Sequence, residues 1–367
     1  MRILYLADRL SVRSGADLHL PQLMQLAVEV GHTVGLAVGR VEHDVLPPEG
    51  VALYRIRGLA SRTASNSRLA NLEELLGAAD VVHLQNVMNP VVLKRAVHTG
   101  RVIVTIQDHR VFCPGMGRSL PDGSRCLDPF ESAKCDVCLA DPVYRERLLR
   151  LTRERRDALK GAQLVVLSRY MADELTLVGL PGAEVIAPWV EVGPEREEAG
   201  EYFFLGGRLV AHKGIASAMD VWRVAGRPLG LRVAGEGPLE HCLEGADLLG
   251  WLSSPSLEGE LRRARALLFP SFWQEPFGIL AVQALAAGTP VIAVDSGGTG
   301  EWNTSGCLRL PAGDDSAMVD CIRDLAGDAA KAQRLGREGQ ASVAEKFSYG
   351  RIGEKLRALY GGCPTAL

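Results

Sequence analysis

Residues 264–283 read ARALLFPSFWQEPFGILAVQ, and the order of their patterns decides the fold. Ala266 to Phe269 is an unbroken apolar run, the signature of a strand covered on both faces. Ile279 to Ala286 follows as a helix, and Glu275–Pro276–Phe277–Gly278 forms the turn between them. Pro276 suits a loop or first helical turn, and Gly278 lets another group approach the backbone closely. The amides of Phe277, Gly278 and Ile279 then face whatever lies ahead of the helix, a ready site for an anion. An ordinary strand-to-helix turn with a solvent-facing Glu275 would account for the same residues.

The alternation continues on both sides. Towards the N-terminus, short strands are expected at Ile3–Ala7, Thr33–Val38, Val51–Ile56, Val81–Leu84, Val102–Ile106 and Leu164–Leu167, with a helical stripe from Asp17 to Val30. After the looser stretch from Pro188 to Gly200 it restarts. Strands are expected at Tyr202–Leu205, Leu231–Ala234, Ala266–Phe269 and Val291–Val294, and helices at Ile215–Val224, Leu257–Arg265, Ile279–Ala286, Ala317–Leu325 and Tyr349–Tyr360. Strands separated by helices imply parallel, doubly wound sheets. The chain therefore reads as α/β with two units: an N-terminal domain over 1–190, a C-terminal domain over 200–345, and a terminal helix within 346–367 that crosses back. In such sheets ligands bind beyond the carboxyl ends of the strands. Two facing edges would make one interdomain cleft.

Composition removes other classes. With 367 residues, two domains fit at about 150 residues each. The 41 Lys+Arg nearly balance the 44 Asp+Glu, so no global field favours nucleic acid. MRILYLAD lacks a signal-peptide pattern, and the weakly polar stretch from Phe277 to Val294 is cut by Gly288–Thr289–Pro290, so a cytoplasmic chain is expected. Gly-x-Gly-x-x-Gly is absent after the first strand, which argues against a dinucleotide enzyme.

A second candidate anion site is GGRLVAHKG, Gly206 to Gly214. Arg208 can bind phosphate as a fork and Lys213 as a point charge, although surface cations are usually only solvated. AGEGPLE, with Gly235 and Gly237, ends the next strand.

Together these stretches, with RSGADLH before the helix ending in GHTV, the run GTPVIAVDSGGTGEW and the FSY segment, resemble glycosyltransferase family 4. These are retaining nucleotide-sugar enzymes of GT-B fold with two Rossmann-like domains. The resemblance implies a nucleoside-diphosphate sugar donor on the second domain: a UDP-sugar first, with dTDP- and GDP-sugars as alternatives. Arg208 and Lys213 would neutralise the diphosphate, aided by the amides at Phe277, Gly278 and Ile279, without a required metal. Glu275 would bind the sugar hydroxyls, Trp251 and Leu252 the base, and Gly15 the diphosphate. The acceptor, a sugar, a natural product or a lipid-linked sugar, would enter from the first domain, near His19 and His109. The same fold could instead serve a non-catalytic nucleotide-sugar or glycan binder, or a nucleotide-sugar epimerase.

Two positions depart from the family pattern. Gln283 stands where a second Glu grips the ribose, which either relaxes the demand for the 2′-hydroxyl or simply leaves a neutral hydrogen-bond partner. Gln107 stands where a His precedes Asp108. Gln107 takes over its hydrogen bonding, or the donor lacks an ordinary C6 hydroxyl, or activity is impaired. Asp108 is carried over as a site residue, with loop capping as its plain alternative.

Four of the eight Cys, Cys113, Cys126, Cys135 and Cys138, lie in a polar insert over 113–138 and could satisfy a tetrahedral metal. Structural zinc is expected there, with an iron–sulfur cluster or unligated thiols as alternatives. Cys242, Cys307, Cys321 and Cys363 are scattered and read as packed thiols. The stretch from Tyr144 to Lys160 carries seven cations and three acids. It is expected to be a solvated helix with ion pairs such as Glu146–Arg150, or a contact for an anionic membrane surface. His19, His83, His98 and His212 are expected in or near loops, hydrogen-bonded rather than metal-ligating.

Overall fold

A computed structural model describes residues 1–42, 45–63, 69, 71–122 and 124–361. Cys363 and the rest of the terminal segment beyond 361 lie outside the described residues. The chain forms two compact units. One takes Met1–Pro121, Cys126–Ala187 and the chain from Gly353 on, and the other takes Asp122–Arg125 and Pro188–Ile352.

The first unit contains β1 (Arg2–Leu10), α1 (Gly15–Glu29), β2 (Thr33–Val41), β3 (Val51–Arg55), α2 (Leu72–Ala78), β4 (Val81–Gln85), α3 (Pro90–Val97) and β5 (Val102–Ile106). It continues with α4 (Lys134–Cys138), α5 (Pro142–Leu159), β6 (Gln163–Val166), α6 (Arg169–Leu177) and β7 (Glu184–Val185). The strands pair in parallel in the order β3-β2-β1-β4-β5-β6-β7. Every residue of β4 and β5 is buried, as strands with helices over both faces require. Helix starts are fixed locally. Ser14, Asn89, Asp141 and Ser168 each accept an amide hydrogen bond at the N-terminus of the helix they precede.

The second unit contains β8 (Tyr202–Gly206), α7 (Ile215–Val224), β9 (Gly230–Ala234), β10 (Asp247–Gly250), α8 (Ser254–Arg263) and β11 (Ala264–Phe269). Then come α9 (Ile279–Ala286), β12 (Val291–Val294), β13 (Cys307–Leu310), α10 (Asp315–Gly327) and α11 (Ala329–Phe347). Its parallel sheet has the order β10-β9-β8-β11-β12-β13. The helix expected to run to Arg265 stops at Arg263, because Ala264 already pairs with Tyr202 of β8. In each sheet the strand order reverses beside the first strand of its unit, at β1/β4 and at β8/β11. Ligands of open α/β sheets bind beyond the carboxyl ends at such switch points.

The last helix, α12 (Tyr349–Tyr360), begins in the second unit and ends in the first. Ile352, Leu356, Leu359 and Tyr360 are all buried and form one apolar stripe at helical spacing. The Tyr360 hydroxyl lies 2.7 Å from that of Tyr5 and 2.7 Å from His83 Nδ1, and His83 Nε2 lies 2.7 Å from Thr105 Oγ1. Arg101 donates to the carbonyls of Leu359 and Tyr360 at 2.6 and 3.0 Å, which satisfies the end of the helix.

α5 is a solvated helix on one face and a core helix on the other. Glu146 pairs with Arg153 at 3.3 Å rather than with Arg150, because Arg153 reaches both Glu131 and Glu146; Arg150 instead approaches Glu154 at 3.9 Å. Arg155 is buried, donating to the Met88 carbonyl at 2.9 Å and the Arg62 carbonyl at 3.0 Å. None of the described helices is long and apolar enough to cross a membrane.

Candidate functional site

In the second unit the carboxyl edge of the sheet gathers most of the expected donor residues. The loop after β8 carries exposed Arg208, then a single helical turn, Ala211–Lys213, closed by Gly214 at φ +71°. A Cβ on Gly214 would stand 2.1 Å from the Pro270 carbonyl oxygen, so the turn is pressed against the end of β11. Lys213 Nζ donates to Glu275 Oε1 at 2.5 Å and lies 4.7 Å from the centre of the Trp273 ring. The Glu275 side chain is only 5% exposed, and Lys213 is its ion-pair partner. His212 packs against Trp273 and accepts the Trp273 amide through its carbonyl at 3.1 Å. Burial first, then the charges of Lys213 and Arg208, push the His212 ring down to about 4. The ring is therefore neutral near pH 7, and Arg208 and Lys213 supply the positive charge.

The turn before α9 is locked from behind. Trp302 Nε1 donates to the Phe277 carbonyl at 2.6 Å, the Gly298 amide to the Glu275 carbonyl at 2.6 Å, and the Gly297 amide to Gln274 Oε1 at 3.0 Å. Gly278 caps α9 at φ +82°, and a Cβ there would fall 2.2 Å from the Trp302 ring. Among the described residues no intrachain hydrogen-bond partner takes the amides of Gly278 and Ile279. They form the positive end of the helix. The Phe277 side chain turns inward against Phe347, so only its backbone belongs to the site. Gln283 lies one turn beyond Ile279, half-buried on the same helix face.

Gly235 and Gly237 have a packing role. Each has positive φ, and Cβ atoms there would stand 1.8 Å from the Gly207 oxygen and 2.5 Å from the Leu209 oxygen. They let the Arg208 loop lie directly on the end of β9. Trp251, 40% exposed, and Leu252 follow β10 at the same edge.

In the first unit the carboxyl edge collects Asp8, Gly15, His19, Gln85, Gln107 and Asp108. Gly15 opens α1 behind its Ser14 cap. His19 and His83 lie inside a helix and a strand, both buried, not in loops. His19 Nδ1 faces the amide nitrogens of Gln107 at 2.7 Å and Gln85 at 3.3 Å. Amide nitrogens only donate, so the ring proton sits on Nε2, a buried atom without a partner among the described residues. The Gln107 oxygen accepts from Asn86 at 2.7 Å, which holds the Gln107 amide at both ends. Asp108 accepts from the Arg110 amide and guanidinium, each at 2.9 Å. Burial raises its carboxyl, but Arg110 outweighs that and holds it below the usual range. His109 is turned instead to Tyr170, 3.2 Å away, and to Phe112. Asp8 was not foreseen; burial, against the Met88 amide and Arg110, pushes its carboxyl up to about 6. Its position as an acid near the end of the first strand was the available signal. His212 and Trp273 were likewise missed as site residues, because only their contacts with the Lys213–Glu275 pair reveal them.

Burial pushes the rings of His19 and His83 down to about 4 and about 3. Both titrate lower in the folded chain than in the unfolded one, where a ring titrates near about 6.5. The unfolded chain therefore takes up more protons as the pH falls. Stability is intact above about pH 6.5 and declines below it, with up to about one extra proton per ring in the slope. Urea midpoints should be lower at about pH 5 than at about pH 7.5; equal midpoints would contradict two neutral buried rings.

Cys113, Cys126, Cys135 and Cys138 all line one pocket of the first unit, and none is in a disulfide. Among the described residues, no three His, Cys, Asp or Glu side chains stand in metal-ligating geometry. Cys242, Cys307 and Cys321 are scattered free thiols.

Residues 192–342 match the family model of glycosyl transferases group 1. Over 221 residues the chain is 27% identical to glycogen synthase of Mycobacterium tuberculosis, a match that takes 54% of this chain and 53% of that one. The chain thus spans about half the length of that relative. It is 25% identical, over 94% of both chains, to an uncharacterized glycosyltransferase of Methanocaldococcus jannaschii. Among solved structures it is similar to Anabaena HepE in complex with UDP, at a TM-score of 0.73 and 14% identity, covering 98% of this chain and 100% of that one. The two parallel-sheet, Rossmann-like units have the GT-B fold, and the match to the glycosyl transferases group 1 model lies within the second of them.

Proposed function

We propose that the protein transfers a glycosyl group, with retention, from a nucleoside-diphosphate sugar to an acceptor hydroxyl, with a UDP-sugar as the first candidate donor. The observation that carries this reading is the Lys213–Glu275 pair beside exposed Arg208, set ahead of the uncapped start of α9. Lys213 and Arg208 stabilise the departing diphosphate together with the amides of Gly278 and Ile279. Glu275, held by Lys213, accepts hydrogen bonds from the donor sugar. A leaving phosphate oxygen takes the acceptor proton, so catalysis rests on positioning and charge stabilisation. No metal is assigned to the transfer. The family match over 192–342 and the likeness to HepE, solved with UDP and with UDP-glucose, support the choice of donor class.

One observation favours a second reading, a nucleotide-sugar binder without turnover: the amide of Gln107 is consumed by Asn86 and His19 and acts on the position of His19. A thermal-shift series with UDP, dTDP, GDP and ADP tests the site. A nucleotide at about a hundredfold its dissociation constant adds about 2.7 kcal/mol of stability. UDP is expected to raise the midpoint most. Equal effects of UDP and dTDP would mean that Gln283 leaves the ribose 2′-hydroxyl unread, and no shift with any diphosphate would remove the proposal. Slow release of free sugar from UDP-glucose without acceptor separates an enzyme from a binder. An epimerized sugar still attached to UDP would point to an epimerase.

A further inference from the structure

The insert between β5 and α5 has a packing deficit. From Leu120 to Cys138 no described residue is buried, and α4 contributes none to a core. The segment is nevertheless held in a costly shape. Within it Glu131 adopts positive φ, at 70°, and just before it Arg118 does so at 61°, a conformation that costs a side-chain-bearing residue about 1–2 kcal/mol. A stretch without buried apolar surface cannot offset such strain by burial, so another interaction must hold it.

The four sulfurs are where that interaction would lie. Cys113, Cys126, Cys135 and Cys138 line the same pocket, together with Gly115, Arg118, Ser119 and Lys134. Three segments meet there. A Cβ on Gly115 would stand 3.1 Å from Cys138 Cβ, so the Cys113 loop passes close against α4. The Cys126 amide donates to the Arg118 carbonyl at 2.7 Å. The Arg118 amide donates to Cys113 Sγ, 3.3 Å away, which fixes this sulfur at the pocket wall. Arg118 in turn anchors the loop to α6 through a buried ion pair with Glu174, at 2.8 Å. The thiols are free and come from one compact pocket, yet they do not stand in ligating geometry. Ligation would require the four side chains to turn into the pocket.

We propose that this pocket binds one zinc ion through the thiolates of Cys113, Cys126, Cys135 and Cys138, and that the ion serves structure and not glycosyl transfer. Zinc is assigned over an iron–sulfur cluster because the cysteines hold one C-x-x-C pair with distant partners, unlike the closely spaced cysteine runs of ferredoxins. Binding draws four sulfurs around the ion at about 2.3 Å and expels up to about four protons, one from each thiol. With its four ligands from protein, the ion has no open position for substrate.

The test uses the full chain, purified under reducing conditions and passed through metal-free buffer, with metal measured by mass spectrometry. About one zinc per chain is expected. Titrating the wild-type protein with a mercurial should release the zinc as about four thiols react, whether or not any variant folds. The Cys135→Ser/Cys138→Ser double variant should fall below about a tenth of a zinc per chain, while Cys242→Ser keeps the full amount. Metal-free wild-type protein that takes up no zinc from zinc chloride would overturn the proposal. So would bound iron with visible absorption, a disulfide that leaves fewer thiols to titrate, or zinc retained in full by the double variant.

Discussion

Replacing Arg208 and Lys213 together with alanine is expected to lower UDP release from UDP-glucose by about a thousandfold or more, since each donor to a developing anion is typically worth about 10²–10³ in rate. That loss corresponds to about 4 kcal/mol of transition-state stabilisation. The two residues should separate by parameter and by side effect. Arg208 is exposed and has no ion-pair partner among the described residues, so Arg208→Ala should leave the thermal midpoint unchanged while it lowers turnover. Lys213→Ala also strands the buried Glu275 carboxylate, so it should cost stability as well as rate. Lys213→Arg keeps the charge and should recover the midpoint better than the rate, because a planar fork does not replace a point charge over Trp273. A double variant that releases UDP at the wild-type rate would remove the diphosphate reading of this edge.

Gly278→Ala is expected to be the most damaging change of a single hydrogen to a methyl. The new Cβ would fall 2.2 Å from the Trp302 ring, at φ +82°. Left-handed backbone costs about 1–2 kcal/mol and overpacking typically about 1–3 kcal/mol, together about 2–5 kcal/mol. For a unit of this size the thermal midpoint should fall by about 5–15 °C. Trp302 cannot simply move aside, because its Nε1 is bonded to the Phe277 carbonyl. Shifting it would also disturb the amides ahead of α9, so UDP binding should weaken in the variant even below its melting temperature. Gly259→Ala is the matched control. It lies within α8 with nothing within 4 Å of a new Cβ, and should raise stability by about 0.5–1 kcal/mol. Calorimetry of the two variants reads both signs; equal midpoints would contradict the packing described at Gly278.

The central strands were legible because burial on both faces leaves an unbroken apolar run, as in Val102–Ile106 and Val291–Val294. The strands that were missed, β7, β10 and β13, lie at or next to sheet edges and lack that run: Glu184–Val185 is two residues long, and Leu248 is 45% exposed. α11 was missed because its two glycines and many charges dilute the apolar stripe, although Gly336 and Gly339 are buried where neighbouring segments come close. At the site, local motifs located Arg208, Lys213, Glu275 and Gly278, since each sits beside a strand end in sequence. The roles of Gln107, Gly235 and His212 depend on partners 88, 28 and 61 positions away: His19, Gly207 and Trp273. No local pattern encodes such partners.

The hydroxyl chain from Tyr360 through His83 to Thr105, with Tyr5 beside it, has a consequence for the order of events during synthesis. The sheet that contains Tyr5 and His83 emerges from the ribosome early, but its last covering helix is made only after the whole second unit. At typical translation speeds of about 5–20 residues per second, the interval is about ten seconds or more. During that time a patch meant for Leu356, Leu359 and Tyr360 stays uncovered, an opportunity for chaperones and a hazard for aggregation. Messages truncated before Tyr360 should therefore give an N-terminal unit that is made but left unfinished.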